Sequence, residues 1–547
     1  MIIRKALIIF LILLHGIANQ YVSGQTLTNE TIKLGRTLNI IDDYYVDSTN
    51  ISKITEKVII GMLRDLDPHS TYISAEDVKE ANQALLGNFE GIGISFNILH
   101  DTILVVEPIS GGPSEKVGLL AGDRIVTING EKVAGIKITT TGVRNRLMGP
   151  KGTVVKLGVS RKGEKQILDY AIIRDNIPIN SLDAAYMLDK ETGYVKLNKF
   201  AATTNKEFTD ALQSLKKNNM KNLVIDLRSN GGGYMSAAID LANHFFRDKK
   251  LLVYLIGRKY PRRDYKSSGS GNLASARVVV LTDETSASAS EIFAGAIQDW
   301  DRGVIIGRRT FGKGLVQTPF SLNDGSMIRL TIARYFTPTG RSIQTPYNEG
   351  YEKYMSSFYN RYSNGELVSV DSIHMPDSLK FKTLVNQRTV YGGGGIMPDV
   401  FMAVDTTNYS DYYRALVRRD VFRSFILEYA DRNRARIASN YSSFDEFKER
   451  FQLSPEEIKD FIKRGEELGV KYVDNQFDRS KEEILLILKA LIASNIWHSN
   501  EYYRIINEND PVIDKAREII SDAKTYNSIL ARRSDDLALS SNQYGIP

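Results

Sequence analysis

After a short apolar leader, the hydrophobic rhythm divides the chain into four stretches. From about residue 28 to 85, apolar positions recur at helical spacing: Leu34, Leu38 and Ile41, then Val58, Ile59, Met62 and Leu63. Asp67-Pro68-His69-Ser70 breaks that pattern. From about 88 to 161, Ile92-Gly93-Ile94-Ser95-Phe96 and Ile103-Leu104-Val105-Val106 predict strands. Gly111-Gly112-Pro113, Gly122-Asp123 and Asn129-Gly130 predict the turns between them, so this stretch is a compact β-rich module. From about 180 to 345, continuous apolar runs such as Leu223-Val224-Ile225-Asp226-Leu227 and Val278-Val279-Val280-Leu281 predict buried strands. Each run is followed by a small-residue loop and a helical pattern. From about 409 to 531 the chain is helical and charged. Ser443 with Glu446, Ser454 with Glu457, and Ser480 with Glu483 predict three capping boxes, and Ile484-Leu485-Leu486-Ile487-Leu488 predicts a buried helix.

The leader has Arg4 and Lys5 before an apolar run at residues 6–14, then Val22-Ser23-Gly24-Gln25. This is the form of a secretory signal, here assigned to residues 1–24, and the run is too short to span a bilayer. The mature chain is expected to be exported, periplasmic or envelope-associated, with no transmembrane helix. The 547 residues contain no cysteine, which excludes disulfides, thiolate nucleophiles and iron–sulfur clusters. The six histidines show no metal-ligand spacing, which argues against a histidine-rich metal centre. Lys and Arg number 71 against 65 acidic residues, a net charge of +6 that weakly favours anionic surfaces and does not argue for nucleic acid.

Three segments carry candidate chemistry. Thr285-Ser286-Ala287-Ser288-Ala289-Ser290-Glu291 lies between a buried strand and an apolar helix, where free N–H groups can stabilise an oxyanion. Its plain alternative is a helix cap with small packing residues. Phe311-Gly312-Lys313-Gly314 offers a lysine with apolar neighbours, and desolvation or a nearby cation such as Arg308 or Arg309 would lower its pKa enough to act as a base. Its plain alternative is a surface lysine in a turn. Asp226-Leu227-Arg228-Ser229-Asn230-Gly231-Gly232-Gly233 leaves backbone N–H groups uncovered at a strand end, and no glycine string fits a phosphate loop or dinucleotide fingerprint.

In this order, the three segments resemble the carboxyl-terminal processing, or tail-specific, peptidases. The likeness continues through Asp324-Gly325-Ser326, Ala333-Arg334-Tyr335-Phe336-Thr337-Pro338, Gly340-Arg341-Ser342-Ile343-Gln344 and Gly395-Ile396-Met397-Pro398-Asp399-Val400. Upstream it includes Leu66-Asp67-Pro68-His69-Ser70 and Phe89-Glu90-Gly91-Ile92-Gly93-Ile94, so it covers about residues 60 to 400. It implies a serine endopeptidase with Ser288 as nucleophile, Lys313 as general base and Gln317 orienting the lysine. Such a peptidase needs no metal or cofactor. Ala289 is the implied oxyanion-hole donor, with Gly232 or Gly233 as the second. Gly231 stands where the family string has proline. The alternatives are a catalytically silent PDZ scaffold or adaptor and, more weakly, a hydrolase of small esters.

Gly118-Leu119, Ala121-Gly122-Asp123, Ile125 and Ile128-Asn129-Gly130 resemble a PDZ domain, with Gly91, Ile92, Gly93 and Ile94 as carboxylate loop and peptide-pairing strand. The expected whole is an α+β multidomain chain. It has a helical region at 25–87, a PDZ domain at 88–168 and a crotonase- or Clp-like protease core at 169–405. A helical region at 406–531 and a disordered tail at 532–547 complete it. A tyrosine-rich insertion at about 346–391 either lines a substrate tunnel or elaborates the surface, the second being preferred. The implied partners are proteins with unstructured apolar C-termini, and a homodimer, an adaptor or an activator is left open.

Overall fold

A computed structural model describes residues 28–531, so the leader at 1–24 and the tail at 532–547 lie outside the described residues. Residues 28–66 form one unit, the helices Asn29–Tyr44 and Ile51–Leu66. Thr28 caps the first helix, its hydroxyl accepting from Thr31 N at 3.3 Å. The second unit holds everything from Asp67 onward.

In the second unit the β-rich module is a sheet of strands Ile94–Leu99, Thr102–Pro108, Arg124–Ile128, Val154–Ser160 and Leu168–Ile173, in that order, with Glu131–Lys132 beside the third. Its core gathers Ile92, Val105, Leu119, Ile125, Val143 and Leu157. Asp123 of the turn motif is buried and accepts two 2.7 Å hydrogen bonds from Arg161, which supplies the pairing a buried carboxylate needs. The chain enters and leaves the module along one antiparallel ribbon, Asn88–Gly91 against Asp175–Pro178.

The central sheet runs Leu182–Met187, Thr192–Leu197, Asn222–Asp226, Val278–Thr282, Val304–Gly307, Val400–Phe401. Its last five strands are parallel. Strands this apolar need cover on both faces. One face packs against helices Thr204–Lys217, Met235–Asn243 and Ala289–Asp299 through Phe208, Leu241, Phe293 and Ile297. The other packs against the C-terminal helices Pro511–Ser521 and Ala523–Ala531 through Ile513, Ile519, Tyr526 and Ile529. These last two helices are therefore a layer of the core, while the helices from 411 to 506 pack around a core of their own that includes Phe422, Phe461 and Leu488. A second, antiparallel sheet joins Thr71–Ile73, Leu315–Ser321, Met327–Phe336, Leu251–Gly257 and Tyr260–Lys266.

Of the three predicted caps, Ser454 and Glu457 form a full box and Ser443 caps Phe444–Arg450. Ser480 instead lies inside the helix Asp474–Ile496, where its hydroxyl donates to Asn408 O at 2.6 Å. A buried tertiary acceptor used the side chain that local spacing assigned to a cap. Among the described residues no helix is long and apolar enough to cross a membrane.

Candidate active site

The parallel register aligns three strand ends: Asp226 pairs with Leu281, and Thr282 with Gly307. The three loops that leave them are the three segments singled out in the sequence, so one sheet edge collects them, as open parallel sheets do with their sites.

Ser288 immediately precedes the helix Ala289–Asp299, at φ 57° and ψ −113°. A serine at positive φ is strained and persists only when its surroundings hold it, at a cost of about 1–3 kcal/mol. Ala287 N donates to Asn230 O at 3.0 Å, Ser290 Oγ to the same carbonyl at 2.9 Å, and Ser286 Oγ to Leu227 O at 2.8 Å. These bonds fasten the serine turn to the glycine loop. A Cβ at Gly232 would lie 2.6 Å from Ala287 O and 2.9 Å from Ala289 N, so only glycine fits there. Gly232 N donates to Asn230 Oδ1 at 2.9 Å. The N–H groups of Ala289 and Gly233 have no partner among the described residues.

Lys313 is mostly buried, and burial pushes its ammonium pKa down, with Arg329 adding to that and Glu291 and Asp67 opposing it. Its Nζ has no hydrogen-bond or ion-pair partner among the described residues. Arg308 and Arg309 do not supply the cation expected beside it: Arg308 pairs with Glu284 at 2.6 Å and Arg309 with Glu366 at 2.7 Å. Gln317 Nε2 donates to Thr331 Oγ1 at 3.1 Å, and that hydroxyl donates to Asp67 Oδ1 at 3.1 Å.

Two buried groups tie serine and lysine together. Glu291 accepts from Ser288 N at 2.8 Å, Lys313 N at 2.9 Å, Gly312 N at 2.7 Å and Thr310 Oγ1 at 2.6 Å. Burial raises its carboxyl to about 7 despite those bonds. Tyr335 Oη contacts Ser288 O at 3.1 Å and Lys313 O at 2.6 Å. Both residues stood inside the quoted motifs, and Glu291 lies three positions after Ser288, the spacing of a capping box. That spacing is the signal in the sequence that marks Glu291.

His69 and Tyr354 were missed. The Asp67-Pro68-His69-Ser70 turn leads into Thr71–Ile73, which pairs with Met327–Phe336 and so reaches the site. His69 Nε2 and Tyr354 Oη share a hydrogen bond at 2.9 Å, and burial, with Lys313 nearby, lowers the imidazole to about 4. Tyr354 belongs to the helix Tyr351–Ser363 of the insertion. On the same helix Phe358 meets Phe311 with ring centres 5.1 Å apart, and Arg361 donates to Thr310 O at 2.9 Å and Glu366 Oε1 at 2.8 Å. The insertion therefore braces the lysine loop, and the preferred reading as surface elaboration is set aside. His244 lies apart, bonded to Asn272 and Asn205.

Beside the β module a cavity of about 270 Å³ is lined by Gly91, Ile92, Gly93, Ile94, Phe96 and Leu147, together with Arg144 and with Glu80 of the preceding helix. The N–H groups of Ile92 and Gly93 have no partner among the described residues.

Residues 191–350 match peptidase family S41, residues 91–172 a PDZ domain, and residues 412–498 a family of unknown function. The chain is 35% identical over 343 residues to the carboxy-terminal processing protease CtpA of Bacillus subtilis, covering 62% of this chain and 72% of that protein. It is 36% identical over 325 residues to a carboxy-terminal-processing protease of Bartonella bacilliformis, covering 58% of this chain and 74% of that one. A solved photosystem II D1 C-terminal processing protease is 30% identical, with a TM-score of 0.33, over 58% of this chain and 91% of the other. With the S41 and PDZ matches in place, and with 35% identity extending over nearly three quarters of the Bacillus relative, the chain belongs to peptidase family S41, the carboxy-terminal processing serine proteases.

Proposed function

We propose that this chain is an exported endopeptidase that holds protein C-terminal tails on its PDZ domain and cleaves near them with a Ser288–Lys313 dyad. The observation that carries the dyad is the double tie between the two residues: Glu291 receives both their N–H groups and Tyr335 Oη meets both their carbonyls. Such a tie holds nucleophile and base in one geometry, which is what proton transfer in the attack requires.

Neutral Lys313 takes the proton from Ser288 Oγ as that oxygen attacks the scissile carbonyl carbon. The carbonyl oxygen becomes an oxyanion held by Ala289 N–H and a second donor from Gly232 or Gly233. Gly233 is the better placed, because Gly232 N–H is taken up by Asn230. As the intermediate collapses, the C–N bond breaks, and Lys313 returns the proton to the leaving amine. Water then attacks the acyl ester by the same route, freeing the acid and restoring Ser288. Gln317 keeps its Oε1 available to accept from Lys313 Nζ.

Tail capture is supported by the unpartnered N–H groups at Ile92 and Gly93 beside an apolar cavity, which suit a terminal carboxylate and an apolar last residue. Export rests on the basic and apolar leader. Incubation of the full chain, Ser288→Ala and Lys313→Ala with an unfolded substrate ending in an apolar tail, read by mass spectrometry, tests the whole reading. Cleavage by the wild type alone supports the dyad. Cleavage that survives in Ser288→Ala refutes it, and cleavage unaffected by blocking the tail refutes capture.

A further inference from the structure

We propose that the hairpin formed by Leu251–Gly257 and Tyr260–Lys266 is a docking surface for anionic phospholipid. Residues 247–266 contain eight Lys and Arg against two Asp, a net charge of +6 that equals the net charge of the whole chain. The hairpin itself carries Arg258, Lys259, Arg262, Arg263 and Lys266 against Asp264, and Arg247, Lys249 and Lys250 precede it. Arg258, Lys259, Arg263 and Lys266 are exposed and have no ion-pair partner among the described residues. Arg262 differs, being paired with Asp264 at 2.8 Å and stacked over Tyr254 at 3.9 Å.

The hairpin is a firm platform. Leu252, Val253 and Leu255 bury its inner side in the main core, and the first strand pairs with Met327–Phe336. Its outer end presents the Arg258-Lys259 turn between Ile256, 43% exposed, and Tyr260, 44% exposed. Unpaired cations beside an exposed aliphatic and an exposed aromatic side chain suit the headgroup layer of an anionic bilayer. There the ammonium and guanidinium groups meet phosphate while the apolar groups sink slightly.

A charged edge strand also keeps sheets from pairing edge to edge, and that use alone would need no lipid. Edge protection, however, is already supplied by Pro261, which has no N–H to offer, and by two register shifts that curl the strand. The same features oppose the addition of an extended acidic peptide as a further strand, so a flat anionic surface is the favoured occupant.

Sedimentation of the full chain with phosphatidylcholine vesicles, with and without phosphatidylglycerol, at low and high salt, tests this. The expected result is binding that rises with phosphatidylglycerol, falls with salt, and weakens about tenfold or more in Arg258→Glu/Lys259→Glu/Arg263→Glu. Retained proteolysis of a soluble substrate shows that variant to be folded. If it is not folded, Arg258→Gln/Lys259→Gln takes its place, with a smaller loss expected. Equal binding to neutral vesicles, or undiminished binding by the folded variant, overturns the proposal. Retention on polyglutamate in preference to anionic vesicles makes an acidic protein the partner and overturns the lipid assignment.

Discussion

At Ser288 the backbone is bent into a conformation that costs free energy in the folded state, and the surrounding hydrogen bonds hold it there. On the proposed dyad, Ser288→Ala loses at least about a thousandfold in kcat while the fold remains. Lys313→Arg is expected to be as inactive as Lys313→Ala, because guanidinium stays protonated. Burial lowers the Lys313 pKa, so the neutral form appears at lower pH than for an ordinary lysine, and kcat/KM climbs as pH rises through that lowered value. A profile flat from pH 5 to 9 with chemistry rate-limiting would remove lysine as the base. Glu291 and His69 give stability two opposite slopes. The Glu291 carboxyl is raised from 4.5 to about 7, so its contribution is full below 4.5 and is lost as pH rises through 7. His69 is lowered from 6.5 to about 4, so its contribution is full above 6.5 and is lost as pH falls through 4. Urea midpoints measured across this range are expected to lose the acid-side decline in His69→Gln. In Glu291→Gln the alkaline-side decline disappears and stability falls by about 1–3 kcal/mol, because an amide cannot accept from all four donors.

Among the elements, the insertion helix Tyr351–Ser363 is the one whose role the sequence least suggested. Tyr354 is 4% exposed and Arg361 5%; Arg361 bonds the lysine loop at Thr310 O, and Tyr354 bonds His69. Tyr354→Phe removes one hydrogen bond and keeps the ring, so kcat is expected to fall about fivefold with KM nearly unchanged, as steady-state kinetics would reveal. An unchanged kcat would return the insertion to a surface role. Arg361→Ala leaves two carbonyls without this donor while Glu366 keeps Arg309, and a loss of about 1–3 kcal/mol in unfolding free energy is expected. The strands and glycine turns of the site were legible because each carries its own period and its own punctuation. This brace was not, because Tyr354 meets His69 across 285 residues and no local pattern encodes that meeting.

On the scale of the molecule, the C-terminal helices Pro511–Ser521 and Ala523–Ala531 close the second face of the catalytic sheet. Asp510 reaches Arg228 at 2.7 Å, and Arg228 in turn clamps the buried Asp226 at the end of the strand that leads into the glycine loop. Removal of residues 507–531 is therefore expected to leave an aggregating chain, checked by solubility and size exclusion, and Ile519→Asp to cost several kcal/mol through an unpaired buried charge. The helical region also grips the PDZ sheet, through Asp431 with Arg124 at 2.7 Å and Arg423 with Asn97 at 2.8 Å. The sequence marked this region as helical and left its role open.

The amino-acid sequence by itself determined the kinds of element, the order of the three loops and the residue types available for chemistry, since these follow from local period, turn residues and composition. The PDZ domain and the serine protease core were legible only through the resemblance of the quoted motifs to known families, and the family matches agree with it. Tertiary structure alone decided which cation lowers the Lys313 pKa, which donors are free beside Ser288, and what the insertion and the C-terminal helices touch. Those outcomes depend on burial and on partners far apart in the chain. Arg329, 16 residues beyond Lys313 and on the strand Met327–Phe336, is the cation that adds to the lowering of the lysine pKa, while Arg308 and Arg309, close in sequence, turn away to buried carboxylates.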